Sequence, residues 1–101
     1  MVIHSEVPLD PDSRDRALQI LAEMATKSRA EAGVVDYRVT VDIEEPNTAR
    51  IIEQYEDRAA VEAHESSSHL AWFQDAIEPH MSGEPELFRF DVTAKVEAEG
   101  P

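Results

Sequence analysis

The chain has 101 residues, no cysteine, and a formal net charge of −13 at pH 7 from 22 acidic against 9 basic side chains. That is one small domain, and the absence of cysteine excludes a disulfide scaffold, a thiolate zinc site and a cysteine nucleophile. So acidic a surface repels a phosphate backbone, which argues against nucleic acid as a partner, and no apolar run approaches the roughly 20 residues that span a bilayer.

Residues 1–7 hold the β-branched Val2, Ile3 and Val7 and predict a first strand, closed by Pro8, Asp10 and Pro11. Asp10-Pro11 also reads as a helix start, a capping carboxylate followed by proline at the first helical position. Ala17, Leu18, Leu21, Met24, Ala25 and Ser28 then recur at helical spacing, and Gly33 supplies a stop. Val35, Tyr37, Val39, Val41 and Ile43 alternate with polar residues and predict a second strand over 35–43. A turn at 44–47 leads to a third strand over 48–56. Asp57 caps a short helix over 58–65. Ser66 or Ser67 caps another that runs to about Ile77. After a Pro/Gly loop, residues 87–96 predict a long last strand with Phe88, Phe90, Val92, Ala94 and Val96 on one side.

Strand, helix, strand, strand, helix, strand is the ferredoxin-like βαββαβ order: an α+β antiparallel sheet with helices on one face. A single domain over 1–96 is expected, with 97–101 as a C-terminal tail. The second sheet face carries more apolar residues than water tolerates, so a second copy is its expected cover, giving a homodimer. The N-terminal segment is too short and polar for a signal peptide. Together with the evenly spread acids, this predicts a cytoplasmic, halophilic protein without membrane contact.

One stretch is more specific. It reads Glu31-Ala32-Gly33-Val34-Val35-Asp36-Tyr37, then Glu45-Pro46-Asn47, then Ile51-Ile52-Glu53-Gln54-Tyr55-Glu56-Asp57, then Ala60, Ala63-His64, Ser68-His69 and Phe73. It resembles the antibiotic-biosynthesis monooxygenase family: an acid-x-Gly before a Tyr-bearing strand, a Pro-Asn turn, a Glu before an aromatic, and Ala-His followed five residues later by His. The resemblance implies a dimeric α+β barrel with a pocket between sheet and helices. It also implies small aromatic or quinol-type substrates that react with molecular oxygen without flavin, metal or haem. Haem-degrading relatives use an Asn on the first strand and a Trp–His pair. Here residues 1–9 hold no Asn and His64 stands at the Trp position, which disfavours haem chemistry; Tyr55 stands where many relatives have Trp.

The candidate catalytic residues are His69 and His64. On a continuous helix they would lie about 140° apart, but the serine break lets both enter one pocket. His69, at a helix start, is suited to take a proton from a phenolic hydroxyl as a neutral general base, with His64 orienting the substrate. The alternative for His69 is a structural hydrogen bond to a serine or to Glu53. Tyr37 and Trp72, aromatic with polar handles, are candidate substrate contacts. Glu53 lies mid-strand on an apolar face and needs a partner there, either Arg38, Arg89 or a histidine. His4 reaches either the pocket or the dimer surface, and His80 falls in a loop. The histidine pairs lack i, i+4 spacing, so no metal site is expected. The expected function is a cofactor-independent monooxygenase acting on a small quinol or polyphenol. The alternatives are a non-catalytic dimeric module that binds a small aromatic ligand, and an isomerase on the same fold.

Overall fold

A computed structural model describes residues 1–100. The elements are β1 (Val2–Pro8), α1 (Arg14–Arg29), β2 (Val34–Val41), β3 (Thr48–Tyr55), α2 (Arg58–Glu65), α3 (Ser68–Ile77) and β4 (Glu86–Phe90), with 3₁₀ turns at Pro11–Ser13 and Glu78–His80. The strands form one antiparallel sheet in the order β2-β3-β1-β4. This is the ferredoxin-like arrangement, with the second helical region divided in two.

The alternation of side chains along each strand decides which face meets the helices. Ser5 and Val7 of β1, Tyr37 of β2, and Ala49, Ile51, Glu53 and Tyr55 of β3 are buried. Val7, Tyr37, Ala49 and Ile51 pack with Ala17, Ile20, Leu21, Met24 and Ala25 of α1 and Ile77 of α3, while Tyr55 packs with Ala60 and Val61 of α2. The opposite face carries His4, Ile52 and Phe88 in one cross-strand row and Val2, Gln54 and Phe90 in the next. Phe88 and Phe90 remain about half exposed there, 50% and 46%.

Three boundaries differ from the pattern reading. Asp10 does cap, accepting from the Asp12 amide at 2.9 Å, but it caps the 3₁₀ turn, and α1 begins only at Arg14. In β2 the register slips between Val34 and Asp36, so Val35 bulges out and is 53% exposed. The strand also ends at Val41, because Asp42 turns the chain by accepting the Glu44 and Glu45 amides at 2.8 and 3.0 Å. Those two bonds hold the Asp42 carboxyl below its ordinary range. The last strand stops at Phe90, not near Val96, because Phe90 already pairs with Val2 and β1 has no residue left to extend the ladder.

Gly33 positions the site. Its φ is +86°, and a Cβ there would lie 2.7 Å from the Ala60 Cβ of α2. Only glycine allows both the left-handed turn and this approach. Its carbonyl also accepts from the Glu56 amide at 2.9 Å. The turn after α1, which carries Glu31, is thereby tied to the start of α2.

Candidate active site

The site is assembled from three segments. Asp57 caps α2 by accepting the Ala60 amide at 2.9 Å, and α2 turns Val61 and His64 inward. Ser67 then acts at both sides of the helix break. Its hydroxyl donates to the His64 carbonyl at 2.7 Å, closing α2, and accepts the Leu70 amide at 3.2 Å, opening α3. The fold-back sets the His64 and His69 rings edge to face, 6.0 Å between centroids. Glu31 enters from the turn after α1. Its Oε2 is 2.7 Å from His64 Nδ1 and 2.7 Å from His69 Nε2.

A carboxylate oxygen only accepts, so both ring nitrogens facing Glu31 carry hydrogen. This fixes the tautomers of the neutral rings. His64 keeps a free lone pair on Nε2, and His69 keeps one on Nδ1. His64 Nε2 points toward Glu53, 3.9 Å from its Oε1. Glu53 also accepts a hydrogen bond from the Tyr55 hydroxyl. The Tyr37 and Tyr55 rings each lie 5.7 Å from the His64 ring.

Burial raises the Glu53 carboxyl above the usual carboxylate range, opposed by the Tyr55 hydrogen bond and by His64. Burial, and then the nearby Glu53 charge, pushes both Tyr37 and Tyr55 up. Both phenols therefore stay protonated, and the Tyr55 hydroxyl donates to Glu53. The pairing of Glu53 with an arginine does not occur: Arg38 donates to Asp36 at 2.8 Å, and Arg89 reaches Asp91. Tyr37 is buried and its neighbour Arg38 is exposed, so Arg38 turns to the other face of the sheet.

A cavity of about 430 Å³ lies between the sheet and α2–α3. Ile3, Val7, Ile51, Phe73, Ile77 and Leu87 supply apolar wall; Ser5, Tyr37, Glu53 and His64 supply polar groups. A smaller hollow of about 290 Å³ adjoins it, sharing Ile3, Val61 and Leu87 and adding Arg58 and Arg89.

Of the residues singled out from sequence, His64, Tyr37 and Glu53 thus line the cavity. His69 stands behind His64, on Glu31, and is not part of the lining. Trp72 packs toward α1 beneath the Lys27 ammonium, 4.2 Å from its ring centroid, and does not line the cavity either. His4 lies on the opposite sheet face, 5.0 Å from the Phe90 ring. His4 therefore does not reach the cavity, because even-numbered positions of β1 point away from the helices. Glu31 and Tyr55 were missed as site residues. Glu31 was visible only as the acid of the acid-x-Gly pattern, and nothing local said that it would bridge two histidines more than thirty residues away.

Comparison with known proteins agrees with this architecture. Residues 1–76 match the family model described as antibiotic biosynthesis monooxygenase. YcnE of Bacillus subtilis (strain 168) is 27% identical over 73 residues, 72% of this chain and 77% of that protein. The structure of Rv0793 from Mycobacterium tuberculosis superimposes with a TM-score of 0.87 at 19% identity, covering 95% of this chain and 97% of the other. A crystal structure described as antibiotic biosynthesis monooxygenase gives 0.85 at 24% identity, covering 93% and 100%. At such identities the superpositions speak for the fold, and the family match spans three-quarters of the chain: the protein belongs to the antibiotic biosynthesis monooxygenase family.

Proposed function

We propose that the protein is a monooxygenase that oxidises a small quinol or polyphenol with molecular oxygen and needs no flavin, haem or metal for the chemistry. One observation carries this reading: the only ring nitrogen left free on His64 faces the cavity side, beside Glu53, while Glu31 holds the opposite nitrogen. That is a base with an orienting carboxylate, the arrangement general-base catalysis requires. His64, more than His69, is the base, because His64 reaches the cavity and His69 stands behind it. His69 fixes Glu31 from the other side.

In this mechanism His64 Nε2 accepts the proton of a substrate hydroxyl. Glu31 stabilises the imidazolium that forms. The substrate anion is electron-rich enough to reduce oxygen. One oxygen atom enters the ring and the other leaves as water, so a hydroquinone yields a hydroxyquinone and water, with the substrate supplying all the electrons. Tyr37, kept protonated by its burial, is a donor for a substrate oxygen. The apolar walls hold the ring and exclude water.

The reading includes a homodimer closed over the open sheet face and a cytoplasmic setting rich in salt. The half-exposed Phe88 and Phe90 support the first, and the charge of −13 supports the second. The test is oxygen uptake with a panel of hydroquinones and polyphenols, followed by mass spectrometry of products formed under ¹⁸O₂. One labelled atom in the product is expected. Ligand binding without oxygen uptake across the panel would instead identify a binding module.

A further inference from the structure

The oxygenase reading places the reacting nitrogen on one edge of His64 and uses Glu31, on the other edge, only to orient the ring. On that side, Glu31 Oε2, His64 Nδ1 and His69 Nε2 all lie within 4.8 Å of one another. Two imidazoles and a carboxylate converging on one point are a ligand set for a divalent transition metal. A tetrahedral ion with bonds of about 2.0–2.1 Å holds its ligands roughly 3.3 Å apart, so small side-chain shifts suffice. The set is built from three separate segments and is mostly buried, with side-chain exposures of 15%, 7% and 19% for Glu31, His64 and His69.

Two independent features point to a cation there. One carboxylate, Glu31, sits at 15% exposure, and among the described residues it is paired with no lysine or arginine. A charge so withdrawn from water is stabilised by positive charge nearby. Next, the outer shell is in place. A metal-bound histidine commonly donates its remaining N–H to a carboxylate, and His64 Nε2 faces Glu53, itself held by the Tyr55 hydroxyl.

We infer that Glu31, His64 and His69 bind one divalent ion of the zinc–cobalt class, and that the bound ion switches the site off. Metal on Nδ1 moves the His64 hydrogen to Nε2. The cavity-facing nitrogen then donates to Glu53 and no longer accepts a proton from substrate. The ion lies behind His64, where neither Glu31 nor His69 touches the cavity, so it acts on the base and not on oxygen. The hard cations Mg²⁺ and Ca²⁺, which prefer all-oxygen sites, do not fit. Only the effect on turnover depends on the oxygenase reading; the binding itself does not.

The experiment is a Co²⁺ titration of the chelator-treated full-length protein, followed by visible absorption. Saturation at one Co²⁺ per chain is expected, with ligand-field bands that Zn²⁺ abolishes and Mg²⁺ leaves unchanged. Glu31→Gln and His69→Ala should each weaken binding by about tenfold or more, while His80→Ala should not change it. Glu31→Gln keeps an oxygen acceptor for both histidines, so it reports on the site even if His69→Ala unfolds. Long-range ¹H–¹⁵N spectra should show the His64 hydrogen moving to Nε2 when Zn²⁺ is added. Absence of saturable Co²⁺ binding, or binding that survives both substitutions, overturns the site. In turnover, one equivalent of Zn²⁺ should lower the rate at least about tenfold, and a rise overturns the inhibitory role. A chelated protein that oxidises no quinol would sink the oxygenase reading, while the cobalt bands still decide the metal site.

Discussion

His64 is the residue on which the chemistry turns, and its two ring nitrogens do different things. Glu31 holds Nδ1 at 2.7 Å, which leaves Nε2 as the acceptor near Glu53. Replacing His64 with Gln should therefore reduce quinol turnover by about 10²-fold or more, with the fold retained. His69→Gln should cost less, about tenfold, because His69 positions Glu31 and touches no substrate. Its effect should appear as a shifted pH–rate profile, which a loss of mere packing would not produce. Equal losses in the two variants would contradict the assignment of the base. Glu53 gives a second test. Burial raises its carboxyl, so the folded state holds the proton to higher pH than the unfolded chain. In that window the native state binds more protons, and stability falls as pH rises from the ordinary glutamate range up to the raised value. Glu31, His64, Tyr37 and Tyr55 are the titratable groups facing Glu53, so the comparison must keep them. Glu53→Gln, which still accepts from Tyr55, should flatten the fall in melting temperature as pH rises above the ordinary glutamate range, relative to the parent. Parallel curves for parent and variant would show that Glu53 titrates normally.

Among the elements, the serine break matters most. A helix continuing from α2 into α3 would put His64 and His69 about 140° apart. The Ser67 hydroxyl ends one helix and starts the next, and the two rings meet. This much was legible: Asp57 and Ser67 are capping residues by type, and both do cap. The β2–β3 hairpin and the alternation in β3 were legible for the same reason, because they depend on neighbours in sequence. What was not legible depends on partners far along the chain. β4 looks apolar to Val96, yet ends where β1 runs out of pairing partners. Val35 fits the alternation of β2, yet a bulge puts it in water. Gly33 read as a helix stop, but its closest constraint is the Ala60 Cβ, twenty-seven residues on. Gly33→Ala must accept a left-handed backbone and a 2.7 Å approach together. It should cost about 2–4 kcal/mol and disturb the Glu31–histidine bridge. Gly83→Ala, whose Cβ would meet only the Pro8 Cγ at 3.7 Å, should stay within about 1 kcal/mol of the parent, and chemical denaturation of both variants measures the contrast.

The whole molecule is a slab, 40 × 38 × 20 Å, with helices on one side of the sheet and none on the other. The open side carries Phe88 and Phe90 half exposed beside His4 and Ile52. A second sheet laid against it would bury them, and light scattering in molar salt should give about twice 11.3 kDa. Phe88→Glu with Phe90→Glu should yield a monomer of lowered stability. Such a dimer would, however, bring two chains of −13 charge together. Glu53 is the one buried acid among the described residues and Glu31 is half-buried; most of the other acids lie at the surface, where salt screens them. The Debye length falls from about 10 Å at 0.1 M to about 3 Å at 1 M, less than the thickness of either layer. Repulsion between the two chains should then fade across this range, while the apolar contact of the sheets strengthens little. The melting temperature should therefore climb with KCl from low salt to beyond 1 M, and the monomer fraction at a fixed protein concentration should fall with it. The Phe88/Phe90 double variant, with no second chain to repel, should gain less from salt than the parent. A flat melting profile for the parent, or an equal gain in both proteins, would mean that charge across the sheet interface does not limit the stability of the assembly.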